Sequence, residues 1–335
     1  MLRRLLFPYL LIFALTLALA GGCDTEPPPF KPYRIAIVHT DDRFAPFIES
    51  FKERLNYLNY LEGESVIYLY DGPTPPEKVV DRLISLKGQN IDLLYTITSP
   101  VTRKAYEIFK DSGTPIVFGP VFSPLEAGLT TSLLKPDKNM TGVMIRGGIP
   151  KAFGLLQETM PNLKTITVPF PVNEQTSQLS LKDLQESAAT TGIKIVPAAI
   201  NTMADLTDYL QHIPPEAEAL WLLHSPFLLS NNAQIVAAAT ARKIPVVAAT
   251  ARFENDLLLS YSPNLDEIGK QVARLADKLL QGVPASELPI EHCEYQLMVD
   301  LEVAKQTGVT VPDNILQQAA VTRSAIAPPP DPAHQ

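Results

Sequence analysis

Two Ser-Pro pairs, at Ser99 and Ser123, each follow a strand-like segment and begin a stretch with helical spacing. Serine is a favoured N-cap residue, and proline fits the first turn of a helix. Glu126 lies three residues after Ser123, which is the spacing of a capping box. Because the free N–H groups at a helix N-terminus attract anions, both turns predict contact with an anionic ligand group such as a carboxylate. A capped helix without any ligand is the alternative interpretation of either turn taken alone.

Further polar and aromatic side chains stand where strand-like segments end. In an open α/β sheet, ligands bind beyond the carboxyl ends of the strands, so these positions are candidates for a small-molecule site. Carboxylates there would meet an amino group, and phenylalanine rings would hold an apolar side chain. Each phenylalanine taken alone is also explained as a core residue. The candidate ligand-binding residues are Thr40, Asp41, Asp42, Thr98, Ser99, Phe122, Ser123, Asn173, Glu174, Ser225, Phe227, Thr250 and Phe253.

The sequence contains no G-x-G-x-x-G, no G-x-x-x-x-G-K-[ST] and no G-x-S-x-G motif, and its five histidines show no metal-ligand spacing. His39, Asp41 and Asp42 lie close in sequence and could ligate a metal, but N-capping carboxylates in a strand-to-helix loop are the favoured explanation of this group. His224 and Ser225 are adjacent in a strand and point to opposite faces, which makes proton transfer between them unfavourable. We therefore predict that the protein is not an enzyme and holds no cofactor and no metal.

Composition limits the classes of partner. The chain of 335 residues has a formal net charge of −8 and no long basic run. This argues against nucleic acid as a partner, because binding to phosphates requires clustered lysine and arginine. The hydrophobic content of 46% is typical of a globular protein. The body of the chain, from about residue 33 to residue 322, is too long for one typical core and favours two domains.

Residues 1–22 have the pattern of a secretory signal. Arg3 and Arg4 precede the apolar run Leu5–Ala20, which is shorter than the roughly 20 residues that a membrane-spanning helix needs. Small residues followed by Cys23 resemble a bacterial lipoprotein signal, in which the cysteine is lipidated and becomes the first residue after cleavage. This predicts a protein anchored to a membrane through its N-terminal lipid, on the periplasmic side of the cell envelope. An ordinary signal with an incidental cysteine and a disulfide between Cys23 and Cys293 are the alternatives.

Two proline-rich segments flank the body of the chain. Residues 23–32 contain three consecutive prolines, which is typical of a stiff, extended tether. Residues 323–335 contain three more consecutive prolines and few apolar residues, which predicts a disordered tail.

Between these ends, strand-like and helix-like segments alternate in two successive series. The alternation predicts an α/β fold of parallel sheets flanked by helices. The strand-like segments are Arg34–His39, Ser65–Tyr70, Ile91–Ile97, Pro115–Phe118, Thr165–Phe170, Lys194–Ile200, Ala219–His224, Pro245–Ala249 and Leu257–Tyr261. The helical segments are Ala45–Leu58, Pro76–Leu86, Pro100–Lys110, Pro124–Leu134, Thr176–Thr191, Met203–His212, Asn231–Lys243 and Leu265–Leu280.

Several segments, taken in order, resemble a known family. They are Ile91–Pro100, Thr114–Phe118, Ser123–Leu129, Asn139–Val143, Leu258–Ser262, Gly269, Gly282–Pro289 and Ala304–Pro312. Together they are similar to the ABC-transporter substrate-binding family that includes tryptophan- and tyrosine-binding lipoproteins. One departure is Ser123, where the family more often has aspartate before the proline.

The resemblance implies a two-lobed periplasmic-binding-protein type I fold that closes on its ligand by a hinge motion. One lobe would comprise residues 33–145 and 262–289, and the other residues 146–261 and 290–322. The three crossings between lobes are predicted near Met144–Gly148, Asp256–Tyr261 and Ile290–Met298.

The resemblance further implies a small-molecule ligand, an ABC permease as partner, and ligand contacts at Thr98, Ser99 and Ser123. The candidate acidic and aromatic side chains favour a hydrophobic or aromatic amino acid as that ligand. A sensing module of the cell envelope, which passes its ligand to a receptor, stays open as an alternative. An envelope enzyme on the same scaffold is a third interpretation, which the lack of a catalytic motif disfavours.

Overall fold

The computed structural model describes residues 31–249 and 256–323. The strands are β1 (Tyr33–Val38), β2 (Val66–Leu69), β3 (Leu93–Thr96), β4 (Ile116–Val121), β5 (Met140–Met144), β6 (Thr165–Pro171), β7 (Lys194–Ile200), β8 (Ala219–Leu222), β9 (Val246–Ala248), β10 (Leu259–Pro263), β11 (Glu291–His292), β12 (Tyr295–Asp300) and β13 (Val321–Arg323). The helices are α1 (Ala45–Tyr57), α2 (Val79–Lys87), α3 (Ser99–Phe109), α4 (Ile149–Thr159), α5 (Gln175–Ala188), α6 (Met203–Gln211), α7 (Pro226–Ser230), α8 (Asn232–Thr240), α9 (Leu265–Leu280), α10 (Leu301–Thr307) and α11 (Asp313–Leu316). Short 3₁₀ turns span Asp42–Phe44, Pro76–Lys78 and Ala285–Glu287.

The first unit is a six-stranded sheet in the order β11-β5-β4-β3-β1-β2, and each of its strand pairs is parallel. Helices α1 and α9 pack on one face of this sheet, and α2 and α3 pack on the other. Strands β3 and β4 are buried along their whole length, as expected for a parallel sheet that is covered on both faces.

The second unit is a seven-stranded sheet in the order β13-β12-β10-β9-β8-β6-β7. Its pairs are parallel except that β10 and β12 run antiparallel. The core of this unit gathers buried residues from α4, α5, α6, α8 and α10, with Trp221 of β8 among them. Two sheets of mainly parallel strands flanked by helices confirm the predicted α/β fold class.

The chain passes between the two units three times. It does so after β5, at Asn264 between β10 and α9, and between β11 and β12. The pairing of β10 with β12 keeps Ser262 and Pro263 in the second sheet, beyond the predicted boundary at residue 261. Glu291 and His292 pair with β5 in the first sheet, beyond the predicted boundary at residue 289. The division into two lobes stays a prediction. In that division, Ser262 and Pro263 now belong to the second lobe, and Glu291 and His292 belong to the first.

The predicted helix over Pro124–Leu134 is wrong, because these residues form a series of turns. The Ala127 N–H donates to the Ser123 carbonyl oxygen as in a helix, but Gly128 then has a φ of 67° in the left-handed region. That conformation ends a helical turn. The sequence pattern also did not predict strands β5, β11, β12 and β13 or helices α4, α7, α10 and α11.

None of the helices in the two described ranges combines the length and the apolar character needed to cross a membrane. The predicted signal at residues 1–22, the lipidation site Cys23, most of the tether, and Thr250 and Phe253 lie outside the described residues. So does nearly all of the predicted tail.

Candidate functional site

A cavity of about 370 Å³ lies between the two units, at the carboxyl ends of their parallel strands. The loops after β1, β3, β4, β5 and β8 all contribute side chains to it. This is the position at which open α/β sheets bind ligands. Its polar lining residues are Arg43, Thr98, Ser99, Thr176, His224 and Ser225. Its apolar lining includes Phe44, Phe47, Phe122, Ile145, Leu229, Leu265 and Ile268.

Four of the predicted site residues line this cavity together: Thr98, Ser99, Phe122 and Ser225. Thr98 has a φ of 75°, in the left-handed region that a β-branched residue rarely adopts. Its N–H donates to the Pro120 carbonyl oxygen at 3.1 Å, which ties the end of β3 to β4. Strained backbone of this kind is concentrated at ligand sites, so the conformation of Thr98 favours the interpretation of this cavity as a binding site.

Ser99 was predicted to cap helix α3, and that role is wrong. The helix already begins at Ser99, and Thr98 before it makes no side-chain cap hydrogen bond. Ser99 is thus the first residue of the helix and not its N-cap, and it lines the cavity. The N–H groups of the first turn of α3 have no partner inside the helix, as at any helix start.

Ser123 does not reach this cavity. Its hydroxyl donates to the Glu126 carboxylate, and the residues after it form turns, so the predicted helix does not begin there. Ser123 instead lines a separate cavity together with Glu126, Arg146 and Asp183. Of the two helix N-termini predicted from these Ser-Pro pairs, only that of α3 lies at this cavity.

The predicted ligand contacts Asp41 and Asp42 do not line the cavity. Asp41 forms an ion pair with Arg43 at 2.6 Å, and the hydrogen bonds from this side chain lower the pKa of the Asp41 carboxyl. Asp42 is exposed, and Thr40 lies beside these two residues without lining the cavity. Arg43, which the sequence did not single out, is the member of this group that lines the cavity.

The contacts predicted after strand β6 and in α7 also lie outside the cavity lining. Asn173 is exposed, and its amide donates to the Asn201 side chain at 3.5 Å. Glu174 accepts the Phe227 backbone N–H at 3.2 Å, which holds the start of α5 against α7. The Phe227 ring packs against the hydrophobic core of the second unit. Ser225 beside it caps α7 by accepting the Leu228 N–H at 3.0 Å.

His224 is a cavity residue that sequence reasoning missed as a ligand contact. Its ring stacks on that of Phe122, with centroids 4.7 Å apart and planes inclined by 22°. Burial lowers the pKa of His224 to about 4, so the imidazole is neutral at pH 7. Its position just past the end of β8 was the available signal, because loops at the carboxyl ends of parallel strands carry ligand contacts.

Arg146 connects the two units beside this site. It lies in the first crossing, and its guanidinium donates to Asp183 of α5 at 2.7 and 2.8 Å and to Glu126 of the first unit at 2.5 Å. The Gln175 side chain of α5 also donates to the Glu126 carbonyl oxygen, at 3.5 Å. The hydrogen bonds to Asp183 raise the pKa of Arg146, which keeps the guanidinium charged.

Comparison with known proteins shows which family has a sequence similar to this chain. Residues 35–323 match the family model described as ABC transporter substrate binding protein. The tyrosine-binding protein of Clostridioides difficile is 24% identical over 248 residues, which cover 72% of this chain and 70% of the relative.

Solved structures share this fold. A conserved domain protein from Vibrio cholerae is 25% identical, with a TM-score of 0.74 over 88% of this chain and 100% of its own. An ABC domain from Streptococcus pneumoniae in complex with L-Trp is 18% identical, with a TM-score of 0.73 over 88% and 100% of the two chains. A ligand-free, open substrate-binding protein with adhesive properties from Clostridium difficile is 23% identical, with a TM-score of 0.75 over 88% and 99%. The last two likenesses show the fold alone, and the predicted type I periplasmic-binding fold is confirmed.

Proposed function

Because this chain belongs to the family of ABC transporter substrate-binding proteins, we propose that it captures a small hydrophobic or aromatic amino acid outside the cytoplasm and delivers it to an ABC permease. The family consists of solute-binding proteins and not of enzymes. The observation that carries the proposal is the cavity of about 370 Å³, which is lined mainly by apolar side chains with a few polar groups. That size lies at the small end of the range for ligand sites and suits a single amino acid.

In the proposed complex, the ligand carboxylate lies at the N-terminus of α3, near Thr98 and Ser99. The partial positive charge of the helix N-terminus and its free N–H groups favour an anion there. Arg43 also lines the cavity wall, where its ion pair with Asp41 offsets the positive charge of its guanidinium. The ligand side chain then packs against Phe44 and Phe47 of the same wall. The names of two relatives, which bind tyrosine and L-Trp, support an aromatic amino acid.

Ligand-dependent melting of the purified protein tests this function. A ligand that binds only the folded state, present at 100 times its Kd, stabilises that state by about 2.7 kcal/mol. We expect L-Tyr, L-Trp, L-Phe or L-Leu to raise the melting temperature, while L-Glu, L-Lys and glucose, as controls, leave it unchanged. Calorimetric titration of the active compounds then gives the affinity. A shift with glucose and none with any amino acid would contradict the proposed ligand class.

The three crossings support closure by a hinge. The Tyr295 hydroxyl donates to the Ile145 carbonyl oxygen at 2.8 Å, which joins the third crossing to the first. The Tyr295 ring also stacks on Tyr261 of β10, with centroids 5.2 Å apart and planes inclined by 9°. Segments that are fastened to each other but connect two separate sheets form a compact pivot, so we expect the two units to move as lobes around it.

The membrane anchor is a separate part of the proposal. We expect Cys23→Ser to release the protein from the membrane fraction or to leave the signal uncleaved, because the lipid is attached to that thiol. Fractionation and intact-mass measurement detect either result. Cys293→Ala is the matched control, since this second cysteine is buried in the first unit and distant in sequence from the signal. Unchanged membrane association and mass in Cys23→Ser would show that the cysteine is incidental.

A further inference from the structure

Phe122 and His224 form a ring pair across the cleft, one ring from each unit. Phe122 follows β4 of the first sheet, and His224 follows β8 of the second. Their centroids are 4.7 Å apart, their planes are inclined by only 22°, and both residues line the cavity. Both side chains are half-buried, so the pair forms a wall of the cavity and is not enclosed in either core.

Each ring is held by the backbone of its own unit. The Phe122 carbonyl oxygen accepts the Arg146 N–H at 3.0 Å, and the neighbouring Ser123 bonds to Glu126. On the other side, Ser225 directly after His224 caps α7. Because the rings are carried by different units, a hinge motion that opens the cleft would separate the ring faces without disturbing either core.

Resting on the proposed function, we propose that Phe122 and His224 select a planar aromatic ligand over an aliphatic one of similar size, by presenting their paired rings to it as one wall of the cavity. A ligand ring in the cavity gains ring contacts with this pair beyond the burial of its apolar area. An aliphatic side chain fills the same volume but gains no such contact. The wall is complete only while the two units are closed, because each unit supplies one of its rings.

The chemistry of His224 suits this role. Its imidazole is neutral at pH 7, because burial lowers its pKa, and it therefore presents an uncharged aromatic face. A charged side chain at this position would pay a large desolvation cost on closure.

Calorimetric titration of matched variants with L-Tyr, L-Trp, L-Phe, L-Leu and L-Met tests the inference. Phe122→Leu keeps an apolar side chain but removes the ring, and we expect it to weaken the aromatic ligands about five- to tenfold and the aliphatic ligands less than twofold. His224→Phe retains a ring, and we expect it to keep the aromatic preference. Leu229→Ala, in the same cavity lining, is the control that should weaken both classes of ligand by a similar factor.

Equal losses for aromatic and aliphatic ligands in Phe122→Leu would overturn the ring-pair inference and leave the proposed function standing. A wild-type protein that binds none of the five amino acids would overturn both. His224→Leu removes the other ring of the pair and provides a second test if Phe122→Leu does not fold. A loss confined to the aromatic ligands in His224→Leu supports the inference, and equal losses for both classes contradict it.

Discussion

Replacing Gly269 with alanine is expected to destabilise the protein by about 2–3 kcal/mol, because helix α9 crosses α1 with no room for a methyl group. A Cβ added at Gly269 would lie 2.9 Å from the Phe51 amide nitrogen and closer still to the Phe47 carbonyl oxygen and the Ser50 hydroxyl. Two of these atoms belong to the backbone of α1, so rotation of a side chain cannot relieve the contact. The helices would have to move apart, which would disrupt the buried layer beneath them.

Urea unfolding of the wild type and the variant measures the effect as a shift in midpoint. Gly154→Ala is the matched control, since Gly154 lies inside helix α4 and an added Cβ there meets no atom within 4 Å. Alanine is the better helix former, so this control should be neutral or more stable than the wild type by up to about 1 kcal/mol. Similar midpoints for the two variants would show that α1 and α9 tolerate a wider separation than the structure describes.

The second large effect is expected from Arg146→Met, which should weaken ligand binding about tenfold. Arg146 and Asp183 are only 17% and 13% exposed, so their bidentate contact is little screened by water. The variant removes this contact and the link to Glu126 of the first unit, both of which hold the units together in the structure described here. A charge-assisted contact of this kind contributes about 1–2 kcal/mol, and apparent affinity falls in proportion to the population of the closed form.

Titration calorimetry gives the affinity, and small-angle scattering with saturating ligand shows whether closure is impaired. Arg82→Met is the matched control, because Arg82 pairs with Asp71 at 2.7 Å inside the first unit alone. That variant also loses an arginine ion pair, but we expect wild-type affinity and compaction. An Arg146→Met protein that binds and compacts like the wild type would mean that the bridge makes no contribution to closure.

The two Ser-Pro turns show what local sequence patterns could predict and what they could not. At Ser99 the predicted helix start was correct to within one residue and lies beside the cavity, and only the capping role was wrong. At Ser123 the capping-box spacing was present, but Glu126 bonds to Arg146 across the units and Gly128 turns the chain away from helical geometry. Local spacing indicates which hydrogen bonds are possible, and it does not reveal that a residue distant in sequence competes for the same carboxylate.

The sequence by itself determined the α/β class, the approximate place of most strands, and the absence of a catalytic motif. It could do so because parallel strands covered on both faces must be apolar throughout, as β3 and β4 are, and because helices on such a sheet need one apolar side. The same rule placed Thr98, Phe122 and Ser225 at strand ends, where a cleft is expected.

Only the tertiary structure decided which strand ends face each other. Strand order is set by pairing between distant segments, and the short β11 joins the first sheet although the next strand, β12, joins the second. The stacking of Phe122 on His224 depends on this arrangement, since the two residues are about a hundred positions apart and belong to different sheets. No local pattern encodes such a contact, because the packing of the two units against each other brings the rings together.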